Sequence, residues 1–184
     1  MNICVFCSAS EVAEEYKAEA QKFAKLLGEN GHTLIWGGSD RGIMKVMASG
    51  VREAGGRIVG VSVELLRDHA RKDADEMIFA KDLDQRQAIM LARADAVVAL
   101  TGGIGVLDEL TDVLEQKKHR LHEKPVIVLN TNGFFDGLKM QLQRMDSEGF
   151  LKSAKRILPL NEMIYFADTP EEAMHYIEAH VSKV

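Results

Sequence analysis

Short apolar runs alternate along the chain with longer segments in which apolar residues recur every three or four positions. An unbroken apolar run such as Ala96–Leu100 is typical of a strand buried in a parallel sheet, whereas the longer period is typical of a helix. The pattern predicts strands at Ile3–Cys7, Thr33–Trp36, Arg57–Val63, Met77–Phe79, Ala96–Leu100, Pro125–Leu129 and Met163–Phe166. It predicts helices at Glu11–Asn30, Ile43–Ala54, Leu83–Arg93, Gly105–Lys118, Phe134–Glu148 and Pro170–Val181, with a short polar helix before Met77.

Cap and turn residues delimit several of these elements. We expect Asn30 and Gly31 to end the first long helix, Gly149 to end another, and Thr169 to cap the last helix before Pro170. Strands that alternate with helices imply βαβ units. The predicted fold class is therefore α/β, a doubly wound, Rossmann-like parallel sheet in a three-layer α/β/α arrangement. The length, with no linker or repeat, predicts a single domain over residues 1–184.

Composition and charge narrow the function classes. The chain is 46% hydrophobic and 28% charged, as soluble globular proteins are, and its net charge of -5 disfavours nucleic-acid binding. No apolar run reaches the ~20 residues of a membrane helix, and no signal peptide is expected, so we predict a cytoplasmic protein. Cys4 and Cys7 have the C-x-x-C spacing of a redox pair, but Cys4 lies within a predicted strand, which favours two buried free thiols.

The loop Thr101-Gly102-Gly103-Ile104-Gly105 joins a buried strand to a helix, where α/β sheets bind their ligands. We expect its glycines to adopt positive φ and to let the backbone approach a ligand closely. The free N–H groups of the next helix would then hold a phosphate. The alternative is a tight turn without a ligand. The segment Trp36–Met44 repeats the arrangement, and Ser8 or Ser10 is expected to cap a helix or, less readily, to contact a ligand.

Charged candidates surround the loop. Asp108 and Glu109 fall in the first turn of the following helix, where they either complement its dipole or act on a substrate sugar. Arg86 is a plausible partner, with a solvated surface charge as the alternative. His119 and His122 are interpreted as surface residues. The charged run over residues 71–76 is interpreted as a solvated loop.

Several of these segments, taken in order, resemble the Lonely Guy family, once labelled lysine decarboxylase-like. Residues 101–109 resemble its signature P-G-G-x-G-T-x-x-E, and residues 37–45 resemble its G-G-x-x-G-L-M-G. Residues 55–61 resemble G-G-x-V-x-G-V, residues 5–10 V-F-C-G-S-S, residues 122–126 H-D-K-P-V, and residues 133–135 G-Y-Y. The resemblance runs from about residue 2 to residue 150, except around residues 64–80.

The resemblance implies a Rossmann-like nucleotide-binding domain that forms a homodimer. It implies hydrolysis of the N-glycosidic bond of N6-modified AMP-like nucleotides to free base and ribose 5-phosphate, with no metal or redox cofactor. The family's essential arginine falls on Arg86 and its essential glutamate on Glu109, which makes these two the expected catalytic residues. The residues expected to bind phosphate and substrate are Ser8, Gly37, Gly38, Met44, Gly102, Gly103, Ile104, Gly105, Val106 and Asp108.

Departures from the family pattern keep other functions open. Thr101 replaces the signature proline, Val106 its threonine, Gln87 a lysine and Lys45 a glycine. The T-W-A-Q stretch that follows the signature is replaced at residues 115–118. The lost hydroxyl and amine should weaken phosphate binding. The alternative function is a non-catalytic carrier or sensor of a nucleotide or molybdenum-cofactor-type ligand. Pyridoxal phosphate-dependent lysine decarboxylation is disfavoured, since no lysine stands out as a Schiff-base residue.

Overall fold

The computed structural model describes residues 1–151 and 158–181. Its strands are β1 (Asn2–Phe6), β2 (Thr33–Trp36), β3 (Arg57–Val63), β4 (Glu76–Ala80), β5 (Ala96–Ala99), β6 (Val126–Leu129) and β7 (Tyr165–Ala167). Its helices are α1 (Glu14–Glu29), α2 (Gly42–Glu53), α3 (Leu83–Arg93), α4 (Ile104–Lys118), α5 (Asp136–Ser147), α6 (Leu160–Met163) and α7 (Pro170–Val181). Two 3₁₀ helices span Glu64–His69 and Thr131–Gly133.

The strands form one seven-stranded sheet in the order β4-β3-β2-β1-β5-β6-β7, with every pair parallel. Chain order reverses between β1 and β5, so the switch point lies there. Helices α1, α2 and α7 pack on one face, and α3, α4, α5 and α6 pack on the other. A hydrophobic core lies on each face of the sheet, and alternate residues of β1 pack into the two cores. Ile3 and Val5 lie in one core, and Cys4 and Phe6 lie in the other. The predicted fold class is confirmed.

The first six predicted strands are confirmed to within one residue at each end, and four helices equally closely. The predicted start of the first helix at Glu11 is wrong, because helix α1 begins at Glu14. The preceding chain is not helical and passes close to Gly42, where a Cβ would lie 2.3 Å from the carbonyl oxygen of Ser10. Thr169 caps α7 as expected, accepting a hydrogen bond from the N–H of Glu172.

Two predicted boundaries near the C-terminal half are wrong. Helix α5 begins at Asp136 instead of Phe134, because the side-chain oxygen of Asn130 accepts the N–H of Phe135 at 2.7 Å. Met163 ends the short helix α6 rather than opening a strand, since Pro159 accepts hydrogen bonds that start a helical turn. The single-domain prediction over residues 1–184 includes residues 152–157 and 182–184, which lie outside the described part of the chain. No helix in that part is long and apolar enough to cross a membrane.

Candidate functional site

A cavity of about 470 Å³ opens at the carboxyl edge of the sheet, around the switch point between β1 and β5. The predicted site residues that line it are Ser8, Gly37, Met44, Arg86, Gly103, Gly105, Val106 and Glu109. They come from the ends of β1, β2 and β5 and from helices α2, α3 and α4. The strand order therefore gathers residues that are far apart in sequence at one position.

Arg86 and Glu109 form a buried ion pair in this cavity. Nη1 of Arg86 donates to Oε1 of Glu109 at 2.7 Å, and the two residues are only 8% and 6% exposed. Nε of Arg86 donates to the carbonyl oxygen of Val61 at 2.9 Å, which fixes the guanidinium against the end of β3. The solvated-charge alternative for Arg86 is therefore wrong.

Helix starts hold the two partners in place. Asp82 caps α3 by accepting the N–H of Gln85, which places Arg86 in the first turn. Glu109 lies in the second turn of α4, so the prediction that Asp108 and Glu109 fall in the first turn is wrong, because the helix already begins at Ile104. Burial raises the pKa of the Glu109 carboxyl, while the neighbouring Arg86 lowers it in part. No other hydrogen bond to the Glu109 side chain occurs among the described residues, so its second oxygen can meet a ligand.

Gly37 supports the guanidinium of Arg86. A Cβ at Gly37 would lie 2.3 Å from Nη2 of Arg86 and 2.8 Å from Cε of Met44. Any side chain at this position would therefore displace Arg86. Gly38 lies outside the cavity lining, with φ of 78° and its missing Cβ facing the sulfur of Met77 at 3.0 Å. Its need for glycine comes from the turn and from this packing.

The glycines of the loop before α4 are not explained by positive φ, as had been expected. The prediction of positive φ is wrong, because none of Gly102, Gly103 and Gly105 has it. A Cβ on Gly102 would lie 2.2 Å from the side chain of Val106, which explains that glycine by space alone. A Cβ on Gly103 or Gly105 would meet no atom within 4 Å. At these two positions the backbone is open to a ligand.

N–H groups without an acceptor lie beside that opening. Gly103 is the N-cap of α4, and no side chain caps the helix. Within the described chain the N–H groups of Gly103, Ile104 and Gly105 find no acceptor, whereas those of Val106 and Leu107 bond to the carbonyl of Gly103. A helix start of this kind suits an anion. Ile104 would contribute only its backbone, since its side chain is 81% exposed.

Two other predicted site residues are occupied with protein contacts. Asp108 is exposed, lies outside the cavity lining and accepts a hydrogen bond from Gln87 at 2.6 Å. Ser8 lines the cavity, but its hydroxyl accepts the N–H of Ser10 at 3.0 Å. The preferred helix-cap interpretation of these serines is wrong, because α1 starts after Ala13 without any side-chain cap.

Residues that were not predicted as site residues complete the cavity. They are Cys7, Ala9, Ser39, Arg41, Ser62, Leu66, His69 and Leu83. Cys7, Ser39 and Ser62 lie at or just beyond strand ends, which is the signal that could have found them. Leu66 and His69 belong to the 3₁₀ helix in the stretch that resembles no family motif, so no sequence signal marked them.

The two cysteines and His122 were interpreted as residues without a function in the site. Cys4 and Cys7 are both free and buried, as expected, and burial raises the pKa of each thiol. His122 is half-buried rather than a surface residue, because its ring bonds to the carbonyl of Val113 and the N–H of Lys124.

The charged run over residues 71–76 is less solvated than expected. The Arg71 side chain is only 12% exposed and pairs with Asp73, and Asp75 accepts the N–H of Ile58 at 2.8 Å. This run therefore fastens the connection between β3 and β4 to the rest of the fold.

The cavity does not suit pyridoxal phosphate, since no lysine is among its lining residues to form a Schiff base. Among the described residues, no group of three or more His, Cys, Asp or Glu side chains could hold a metal ion. The chemistry that the lining does offer consists of a buried carboxylate–guanidinium pair beside free backbone N–H groups.

Known proteins resemble the chain in structure over nearly its whole length. The molybdenum cofactor binding protein from Rippkaea orientalis has a TM-score of 0.74 at 22% identity, with 97% of this chain and 95% of that one covered. The Moco carrier protein from Chlamydomonas reinhardtii has a TM-score of 0.74 at 22% identity, with 100% and 98% covered. Identities this low show a shared fold.

Sequence comparison gives a closer relationship. The family model described as "Possible lysine decarboxylase" matches residues 44–177. A cytokinin riboside 5′-monophosphate phosphoribohydrolase of Mycobacterium tuberculosis is 36% identical over 151 residues, with 81% of each chain covered. The Arabidopsis thaliana enzyme of that name, LOG2, is 32% identical over 184 residues, with 98% of this chain and 84% of the relative covered. The chain therefore belongs to the Lonely Guy (LOG) family, whose sequence model carries the older description of possible lysine decarboxylase.

Proposed function

We propose that this protein hydrolyses the N-glycosidic bond of N6-modified nucleoside 5′-monophosphates and releases the free base and ribose 5-phosphate. The observation that carries the proposal is the buried pair of Arg86 and Glu109, 2.7 Å apart, in a cavity that is also lined by Gly103 and Gly105 at the start of α4, where N–H groups are free. The relatives at 36% and 32% identity are named as phosphoribohydrolases of cytokinin riboside 5′-monophosphates.

The 5′-phosphate would bind at the start of α4. The N–H groups of Gly103, Ile104 and Gly105 are free to donate, and the helix dipole favours a negative charge there. Since Gly103 and Gly105 leave open space, phosphate oxygens can come within hydrogen-bond distance of the backbone. Binding energy from this remote group would orient the ribose at the reacting centre.

Glu109 would stabilise the sugar as the bond breaks. The C1′–N9 electron pair leaves with the base, and positive charge develops on the ribose, as in glycoside hydrolysis. A carboxylate in a buried site stabilises that charge more strongly than it would in water. Water then adds its oxygen to C1′, and the proton it loses balances the one that the departing base gains.

Arg86 would position this carboxylate. Its Nε and Nη1 are already committed to Val61 and Glu109, so the guanidinium is fixed before substrate arrives. The guanidinium also lies at the cavity surface, where it can donate to oxygens of the bound nucleotide. Ser8 and Met44 line the same cavity and would contact the nucleotide by packing.

Product analysis tests the proposal. AMP and an N6-alkylated AMP are incubated with the purified protein, and the mixture is resolved by chromatography. The proposal requires free base and ribose 5-phosphate in equal amounts. Intact nucleotide after prolonged incubation at high protein concentration, from both substrates, would exclude the hydrolase.

A carrier of a nucleotide-type ligand is the second candidate. It is favoured by Val106, which is 3% exposed, packs against Gly102 and brings no hydroxyl to the phosphate loop. The lysine that the family pattern places at Gln87 is also missing, and Gln87 is bonded to Asp108. Nucleotide that binds and is recovered unchanged would support this candidate over the first.

We also propose a cytoplasmic homodimer. Exposed apolar side chains support self-association, since Leu83, which lines the cavity, is 56% exposed and Ile104, between the lining residues Gly103 and Gly105, is 81% exposed. The free thiols of Cys4 and Cys7 suit a reducing compartment. Light scattering should give twice the chain mass of 20.4 kDa, and a fluorescent fusion should fill the cytoplasm. A monomer or an exported fusion would overturn the respective part.

A further inference from the structure

The catalytic cavity continues into a second opening, which we call the cationic groove. The groove has a volume of about 540 Å³, and its cations are Arg41, Lys45, Arg71 and Lys72. Arg41 and His69 line both the cavity and the groove, so the two spaces meet at these residues.

Backbone contacts hold the groove in shape. The N–H of Asp40 donates to the carbonyl of His69 at 3.0 Å, and the N–H of Arg71 donates to the carbonyl of Gly38 at 2.8 Å. These bonds attach the 3₁₀ helix Glu64–His69 and the residues that follow it to the loop before α2. The groove is therefore a built part of the fold rather than a gap between free loops.

Arg71 pairs with two of the acids in the groove. Its guanidinium pairs with Asp73 at 2.6 Å and with Asp40 at 3.3 Å, and it also donates to the hydroxyl of Ser49. With a side chain only 12% exposed, Arg71 is a structural ion-pair centre. Its one positive charge offsets one of these two carboxylates, and the remaining negative charge is set against the other cations of the groove.

The other cations keep their charge for a ligand. Arg41, Lys45 and Lys72 have no ion-pair partner among the described residues, and Asp68 is the one further carboxylate that lines the groove. Counted together, the four cations and the three carboxylates Asp40, Asp68 and Asp73 give the groove a net charge of +1 in a chain whose net charge is -5. Such a groove raises the local concentration of anions.

The groove lies at the end of the cavity away from the phosphate loop. It is built from the chain after β2 and β3, whereas Gly103 follows β5, and β1 lies between β2 and β5. At about 4.8 Å per strand, β3 and β5 are roughly 14 Å apart. Helices α2 and α4 also start on opposite faces of the sheet. A nucleotide with its phosphate at α4 and its ribose at Glu109 would direct its base toward Arg41.

We infer that this protein prefers substrates that carry a negatively charged group on the base, which Arg41 and the cationic groove recognise. The inference rests on the proposed function, because it assigns the base end of the nucleotide to the groove. It names a substrate class, nucleoside 5′-monophosphates with an acidic substituent on the exocyclic nitrogen. Lys45 and Lys72 would add long-range attraction, and Arg41 would make the direct contact.

The test compares two nucleotides that differ only in charge, N6-carboxymethyl-AMP and its carboxamide, N6-carbamoylmethyl-AMP. Dissociation constants are measured by calorimetry and base release by chromatography, for wild type, Arg41→Gln and Arg57→Gln. Arg57 is a matched control, since it is an exposed arginine at the start of β3, at the opposite edge of the sheet. Wild type and Arg57→Gln should prefer the carboxylate about fivefold. Arg41→Gln should lose this preference, and 0.5 M salt should reduce it.

The outcomes separate this inference from the proposed function. Equal binding and equal hydrolysis of the two probes by wild type would overturn the inference and leave the hydrolase intact. A preference in binding that depends on Arg41, with no base released from either probe or from AMP, would overturn the hydrolase and keep the groove. Equal weakening of AMP and the carboxylate probe by Arg41→Gln would assign Arg41 to the 5′-phosphate and also overturn the inference.

Discussion

The guanidinium of Arg86 lies where a side chain on residue 37 would have to be, with Nη2 only 2.3 Å from the position of a Cβ on Gly37. The absence of a side chain on Gly37 therefore leaves room for the guanidinium in its ion pair with Glu109. Because a Cβ at this distance must displace the neighbouring atom, residue 37 controls how Arg86 meets Glu109.

Gly37→Ala should lower kcat for base release about 100-fold, since a shift of about 1 Å in a positioning group costs that much. The measurement is steady-state kinetics with the melting temperature as a check on folding. Gly137→Ala is the matched control. Gly137 lies in helix α5, and a Cβ there would meet no atom within 4 Å. Equal kcat in Gly37→Ala and wild type would show that Arg86 does not need its observed position.

The raised pKa of Glu109 predicts the acid limb of the rate profile. If the carboxylate is the active form, kcat falls as Glu109 is protonated, and burial places this fall above the ordinary glutamate value of about 4.3. A profile of kcat against pH from 4 to 9 measures the limb in the bound state. A limb at or below the ordinary value would contradict the burial of the working carboxyl.

The same pKa shift predicts how stability depends on pH. As pH rises past about 4.3, the unfolded chain releases the Glu109 proton first, so the free energy of unfolding falls until the folded carboxyl also ionises. Glu109→Gln removes this contribution. Urea unfolding of both proteins across pH 4 to 8 should show that wild type loses stability relative to Glu109→Gln over this range. A difference that does not change with pH would mean that burial does not shift the pKa.

Restoring the family threonine should strengthen phosphate binding. Val106 lines the cavity beside the free N–H groups, and Val106→Thr would add a donor for a phosphate oxygen. We expect KM for AMP to fall about threefold to tenfold, with kcat little changed, because one hydrogen bond to a charged group is gained. Val113→Thr, at a buried position of α4 outside the cavity lining, is the control and should not change KM. An unchanged KM in Val106→Thr would place the phosphate elsewhere.

The two thiols should resist alkylation in the folded protein. Cys4 and Cys7 are no more than 1% exposed, and burial raises the pKa of each, so little reactive thiolate forms. Iodoacetamide at pH 8 followed by mass spectrometry should label neither thiol in buffer and both in urea. Rapid labelling of Cys7 in buffer would show that the cavity opens further than the structure indicates.

Strands and loops at the sheet edge could be predicted from the sequence because their signals are local. The apolar run Ala96–Leu100 and the glycines that follow it indicate a strand and the loop that joins it to a helix, without any tertiary information. Arg86 and Glu109 could be identified through their register in family motifs. Their partners could not, since the Arg86 bond to Val61 joins residues 25 positions apart through the packing of α3 on β3.

For a similar reason, Arg41 and His69 could not be predicted as cavity residues. His69 reaches the cavity because the backbone of Asp40 bonds to it across two loops, and nothing local in the sequence specifies that bond. The prediction of positive φ at Gly103 and Gly105 is wrong because these glycines do not form a tight turn. They lie where a Cβ would meet no other atom within 4 Å. The residue types predicted the position of the loop between β5 and α4 but not its backbone angles.

The most direct test of the account is base release by Glu109→Gln beside Asp108→Asn. The two carboxylates are neighbours on α4, but Glu109 is buried against Arg86, and Asp108 is exposed and bonded to Gln87. We expect Glu109→Gln to lose at least about 100-fold in kcat while AMP still raises its melting temperature, and Asp108→Asn to stay near wild type. Similar rates of base release in Glu109→Gln and wild type would contradict the central claim that Glu109 carries the reaction.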